Sequence, residues 1–185
     1  MPNHVKNVVK FKHLKPQDID FILGAIAEPL HEDEAYYTPD KKYYGINFDK
    51  IIPEPRLESE CPDDCKVNKD HPGIQIEPDR PWFDWYAFHN KYWDTKWNAY
   101  DRYSIIGKSY LTLVFNTAWQ TPEKVIMKLT ELGYDMELRY ADEAWGSNCG
   151  ILEYNAKIDG ITVHLGDAGE LVNPDKFARN LWNRY

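Results

Sequence analysis

The densest run of chemistry-bearing side chains in the sequence is Trp93-x-x-Lys96-Trp97-Asn98-x-Tyr100-Asp101. Two indoles and a phenol offer stacking faces, while Lys96, Asn98 and Asp101 offer directed polar contacts. Together with Glu143, these seven residues are expected to form a binding surface. The competing reading is structural: the tryptophans plug a helix end into a sheet, and the polar groups satisfy turn backbone.

Acid–base chemistry would need carboxylates that converge. Asp101 with Asp142 or Glu143 is the candidate pair, and such a pair could also hold a divalent cation. Asp142 and Glu143 are adjacent, so on a strand they point to opposite faces and only one can join Asp101. Cys61-x3-Cys65-x5-His71 has ligand types that suit zinc, but a fourth ligand is missing locally. The six histidines are scattered, with no His-x-x-x-His or Glu-x-x-His spacing. Phosphate-loop, dinucleotide and nucleophile-elbow motifs do not occur. The expectation is therefore no catalytic set, no metal and no cofactor.

Charge narrows the partner. The 185 residues carry 22 Lys and Arg against 30 Asp and Glu, a net charge of −8. Residues 1–15 are +4, residues 16–80 are −9 and residues 81–185 are −3. An acidic chain repels phosphate backbones, which disfavours nucleic acid. It suits a basic protein partner by electrostatic complementarity, with His31-Glu-Asp-Glu34 and the loop 56–80 as contact regions. No apolar run is long enough for a membrane span. Three cysteines are too few for a disulfide scaffold, and Met1-Pro-Asn-His-Val lacks a leader pattern. The expected location is the reducing cytoplasm. Nothing in the residues specifies a small-molecule ligand.

The elements that must position these residues follow from periodicity and punctuation. Val5–His13 is β-branched and loosely alternating, a strand. Pro16 opens a helix with Ile19, Ile22, Leu23 and Ile26 inward, and Pro29 ends it. Residues 46–53 are expected to be extended. Six prolines between residues 53 and 81 predict a long surface loop. Pro81–Trp93 is expected to be a helix with Trp82, Trp85, Tyr86, His89 and Trp93 on one face. Residues 100–106 and 109–117 form a hairpin. Thr121-Pro122-Glu123 starts a helix that ends at Gly133. Strands follow at 134–143, 149–158 and 161–165, and Pro174 opens a last helix. Helices interleaved with hairpins predict an α+β fold. The βαβ unit from 109 to 143 is half of a ferredoxin-like sandwich: a mostly antiparallel sheet with helices on one face. A single domain over 1–185 is expected, with an irregular acidic and Pro-rich insertion at about 28–80.

Several segments resemble one family in the same order along the chain: Met1-Pro-Asn-His-Val5, Phe48-Asp-Lys-Ile-Ile-Pro-Glu-Pro55, Tyr92-Trp-Asp-Thr-Lys-Trp-Asn-Ala-Tyr-Asp101, Phe115-Asn-Thr-Ala-Trp119 and Tyr140-Ala-Asp-Glu143. The chain thus resembles the YubB-like family of plasmid- and phage-encoded proteins. Asp94 stands where that family usually has Gly. The resemblance implies a ferredoxin-like domain on a mobile element and supplies no activity. The expected function is a non-enzymatic protein-binding accessory protein; the alternative is a small enzyme or metal-dependent nucleotide-processing protein using Asp101 with Asp142 or Glu143.

Overall fold

Strand β1 (His4–Phe11) sends Val5, Asn7, Val9 and Phe11 to one face of a sheet and Lys6, Val8 and Lys10 to the other. Helix α1 (Pro16–Ile26) follows, its start held by the Asp18 carboxylate accepting from Lys15 N at 2.7 Å. Its stripe Ile19, Ile22, Leu23 and Ile26 is buried, as its spacing requires. The computed structural model describes residues 3–34, 43–67, 77–144, 147–158, 160–166 (backbone) and 173–185.

The remaining sheet strands are β4 (Tyr100–Ile106), β5 (Leu111–Ala118), β6 (Met136–Asp142), β7 (Cys149–Asn155) and β8 (Gly160–Gly166). Helix α4 (Glu123–Leu129) crosses from β5 to β6 and ends after a 3-10 turn at Gly133, whose φ of 86° a glycine adopts freely. The spatial order is β4-β5-β1-β6-β7-β8, and every pairing is antiparallel. The path β1-α1-β4-β5-α4-β6 is thus a ferredoxin-like βαββαβ unit, with β7 and β8 added at the β6 edge.

α1 and α4 cover the face carrying Val9, Leu113 and Leu138. The last helix, α5 (Pro174–Arg184), does not join them. It covers the opposite face, where Val8, Val114, Ala141 and Cys149 form an apolar strip that Ala178 and Leu181 close. The expectation of helices on one face holds for the two crossovers only. An apolar strip on the second face needs its own cover.

The insertion is less irregular than its prolines suggest. β2 (Ala27–Pro29) pairs with β3 (Tyr44–Ile46), and α2 (Phe48–Ile51) stands where extended chain was expected. Asn47 caps α2 by accepting from Asp49 N at 3.0 Å. The Pro-rich stretch is not simply a surface loop: Cys61, Cys65 and Phe83 lie buried in the main core.

The expected helix from Pro81 begins later, at α3 (Trp85–Phe88), with Asp84 accepting from Ala87 N at 3.0 Å. It continues as a π-helix over His89–Trp93. Phe88, His89 and Trp93 are buried while Tyr86 faces solvent, and the wider π turn changes the phase of Trp93 relative to α3. Asp94, at φ 60°, ends the turn in the left-handed region. Its carboxylate accepts from Lys124 N at 2.9 Å and so binds the start of α4. Thr121 does not cap that helix; its hydroxyl donates to Asn7 Oδ1 at 2.6 Å instead.

Candidate functional site

The seven residues expected to bind do not form one group. Trp93 is 1% exposed, its Nε1 donates to Ile52 O at 2.9 Å, and its ring packs edge-on against Phe48 and Phe88. It is a core residue. Asn98 is a latch: its Oδ1 accepts from Phe48 N at 2.9 Å and Ala99 N at 2.8 Å, and its Nδ2 donates to Asn47 Oδ1 at 2.8 Å. For these two the structural reading of the block holds.

Lys96, Trp97, Tyr100 and Glu143 do share one end of the sheet. Trp97 and Tyr100 meet edge-on at 6.2 Å. Tyr100 OH donates to Thr117 O at 3.0 Å, so His4 Nδ1, 2.6 Å from the Tyr100 hydroxyl oxygen, donates to that hydroxyl. Burial, with Asp101 and Glu143 adding to it, pushes the Tyr100 phenol up. Glu143 Oε1 accepts from His4 N at 3.1 Å.

Two members of this surface escaped the sequence reading. By its spacing Tyr86 is expected on the helix face it shares with His89 and Trp93, and Trp119 stands out only within a family block. Tyr86, Trp97 and Trp119 are 45%, 38% and 38% exposed. Lys96 Nζ lies 5.9, 4.9 and 5.4 Å from their ring centroids, and Tyr86 and Trp119 meet at 81°. For Trp119 no local pattern marks its exposure.

Trp119 is held outward at a cost. Its φ of 73° lies in the left-handed region, worth about 1–2 kcal/mol of strain for a bulky residue. The surrounding bonds over-determine it. Trp119 N donates to Asn3 O and its carbonyl accepts from Asn148 Nδ2, both at 2.9 Å. Beneath it, buried Asn7 donates to Thr117 Oγ1 at 2.8 Å, Thr117 Oγ1 donates to Gln120 O at 2.7 Å, and Thr95 Oγ1 donates to Ala118 O at 2.9 Å.

Asp101 and Asp142 stand on strands that are not neighbours. Asp101 sits at a bulge of β4 with φ 45° and accepts from Asn116 Nδ2 at 3.1 Å, on the α5 face near Lys6. Burial lowers the Lys6 ammonium and the charge of Asp101 opposes that. Asp142 is buried on β6, where desolvation and then Glu143 push its carboxyl up against the hydrogen bonds from Ala144 and Ser147. The order β4-β5-β1-β6 puts three strand intervals, about 14 Å, between the backbones of Asp101 and Asp142.

Cys61 and Cys65 are buried, and desolvation pushes the Cys65 thiol up to about 11. His71 lies outside the described residues, so the three-residue zinc set is not placed. Among the described residues, no group of three or more His, Cys, Asp and Glu could hold a metal ion. The acidic contact region is partly consumed internally, because Glu34 pairs with Arg102 Nε at 2.7 Å. A cleft of about 480 Å³ opens beside the Pro-rich stretch between Pro53, Pro55, Pro62, Phe88 and Tyr92.

Residues 92–176 match the ferredoxin-like domain in Api92-like protein. The Api92-like match includes Lys96, Trp97, Tyr100, Trp119 and Glu143, while β1 and α1 lie before it. Tyr86 and the insertion lie outside it. No curated protein and no solved structure matches the chain. Among the described residues, no helix is long and apolar enough to cross a membrane.

Proposed function

We propose that the chain is a non-enzymatic protein-binding module, a cytoplasmic accessory protein of a plasmid or phage in the manner of the YubB-like family it resembles. The observation that carries this reading is the platform of Tyr86, Trp97 and Trp119 around Lys96. Tryptophan and tyrosine are the side chains that most often anchor protein interfaces, and three of them held half in water on a strained, bonded scaffold form such an anchor. The net charge of −8 favours a basic partner and disfavours nucleic acid. The enzymatic alternative on Asp101 with Asp142 or Glu143 draws less support, since acid–base partners must reach one reactant.

The test is a paired capture experiment. Wild-type protein and a Trp97→Ala, Trp119→Asn double variant serve as baits under several salt conditions, with a Lys157→Ala variant as a surface control. The reading expects a partner held by wild type and control and lost from the double variant. Equal capture by all three baits, or none above background, overturns it.

A further inference from the structure

Lys96 has an unusual set of neighbours. Its ammonium lies within 6 Å of three ring centroids, Trp97 nearest at 4.9 Å, then Trp119 and Tyr86. Two of those rings stand at 81° to each other, as the walls of a box do. Among the described residues no carboxylate pairs with Lys96, although the chain carries 30 acids. Among the described residues its charge is met by π faces. All three rings are also open to solvent, so the box has a mouth.

Walls of this kind bind cations, because the negative faces of the rings converge on one point. The attraction is weak at an exposed site and grows as the cation sheds its water. A primary ammonium is strongly hydrated and gains least. A guanidinium or a methylated ammonium is weakly hydrated and gains most. Resting on the protein-binding reading, we infer that Tyr86, Trp97 and Trp119 form an aromatic cage for a cationic side chain of a basic partner, and that Lys96 is its resident occupant, displaced when the partner binds. The acidic charge of the chain draws such a partner.

The occupant sets the sign of the test. Lys96→Met keeps the aliphatic stem, empties the cage of charge and removes the repulsion an incoming cation meets. Tetramethylammonium chloride is titrated into ¹⁵N-tryptophan-labelled protein, and the indole N–H resonances are followed against sodium chloride at equal ionic strength. The expected result is at least tenfold tighter binding by Lys96→Met than by wild type, confined to the Trp97 and Trp119 resonances. Lys96→Gln behaves similarly, and adding Trp119→Asn abolishes the gain. The cage is overturned if Lys96→Met and Lys96→Gln respond to tetramethylammonium no more than to sodium. That failure is separable from failure of the module, because the paired capture experiment uses no tetramethylammonium. Loss of partner by the double variant without tetramethylammonium binding overturns the cage and leaves the module standing.

Discussion

The ring of His89 lies flat on the indole of Trp93, 3.9 Å between centroids and 13° between planes, while its Nε2 meets Glu54 Oε1 at 2.6 Å. Its other nitrogen donates to Lys96 O at 2.8 Å, since a carbonyl can only accept. Glu54 in turn takes Arg80 Nη1 at 2.6 Å. This chain of contacts ties the Pro-rich stretch to the π turn and fixes the backbone of Lys96, so the core beneath sets the position of the cage.

Glu54 therefore governs acid stability. Burial alone would raise its carboxyl, but the hydrogen bonds and charges of His89 and Arg80 outweigh burial and hold it at about 2. A depressed carboxylate stabilises above its unfolded value and loses that contribution as pH falls through the folded one. The loss is thus expected between about pH 4.5 and pH 2, and amounts to at most about 3 kcal/mol. Glu54→Gln should destabilise at pH 7 by about 2–3 kcal/mol and flatten this acid limb. Urea denaturation at pH 7 and at steps from 5 to 2 checks both.

The two kinds of tryptophan should respond oppositely. Trp93→Ala empties a buried site and strands the Ile52 carbonyl, at an expected cost of about 3–5 kcal/mol. Trp119→Asn puts a residue that tolerates positive φ at a strained, exposed position, so stability should change by less than about 1 kcal/mol. Chemical denaturation of both variants decides this; a large loss for Trp119→Asn would make that residue structural.

Asp94 combines a strained φ with a useful carboxylate, which also pairs with Lys124 Nζ at 2.6 Å. Asp94→Ala loses the acceptor and keeps the strain, at an expected cost of about 1–2 kcal/mol. Asp94→Gly loses the same bonds and relieves the φ, so it should be more stable than the alanine variant by about 1 kcal/mol. Thermal melts of the two variants give the order directly.

Arg102 docks the β2–β3 pair on the sheet. It donates to Glu28 Oε1 and Glu34 Oε1, both at 2.7 Å, and to Ile46 O at 2.9 Å. A Cβ on Gly45 would stand 2.5 Å from Arg102 Cδ, in a side chain that these bonds hold in place. Gly45→Ala and Arg102→Met should both loosen this ladder. The measurement is hydrogen exchange, with faster exchange expected at the β2–β3 amides and no change at β1.

Sequence alone determined the scaffold. The stripe Ile19, Ile22, Leu23 and Ile26, the alternation of Met136, Leu138 and Tyr140, and Gly133 after α4 each carry local information that hydrophobic burial and backbone sterics read directly. The short ladder from Ala27 to Ile46 and the burial of Cys61 and Cys65 depend on partners distant in sequence, which periodicity does not encode. The site divides in the same way. The block from Trp93 to Asp101 is conspicuous as composition, yet which of its members enter the core is decided by packing: Trp93 is buried against Phe48 and Phe88 while Trp97 stays exposed. Trp119 and Lys96 are 23 positions apart, and only the pairing of β4 with β5, together with the bonds that hold Trp119 at positive φ, brings an indole over that ammonium. Spacing along a strand or helix fixes a side chain's face; convergence of faces from different elements is set by tertiary packing.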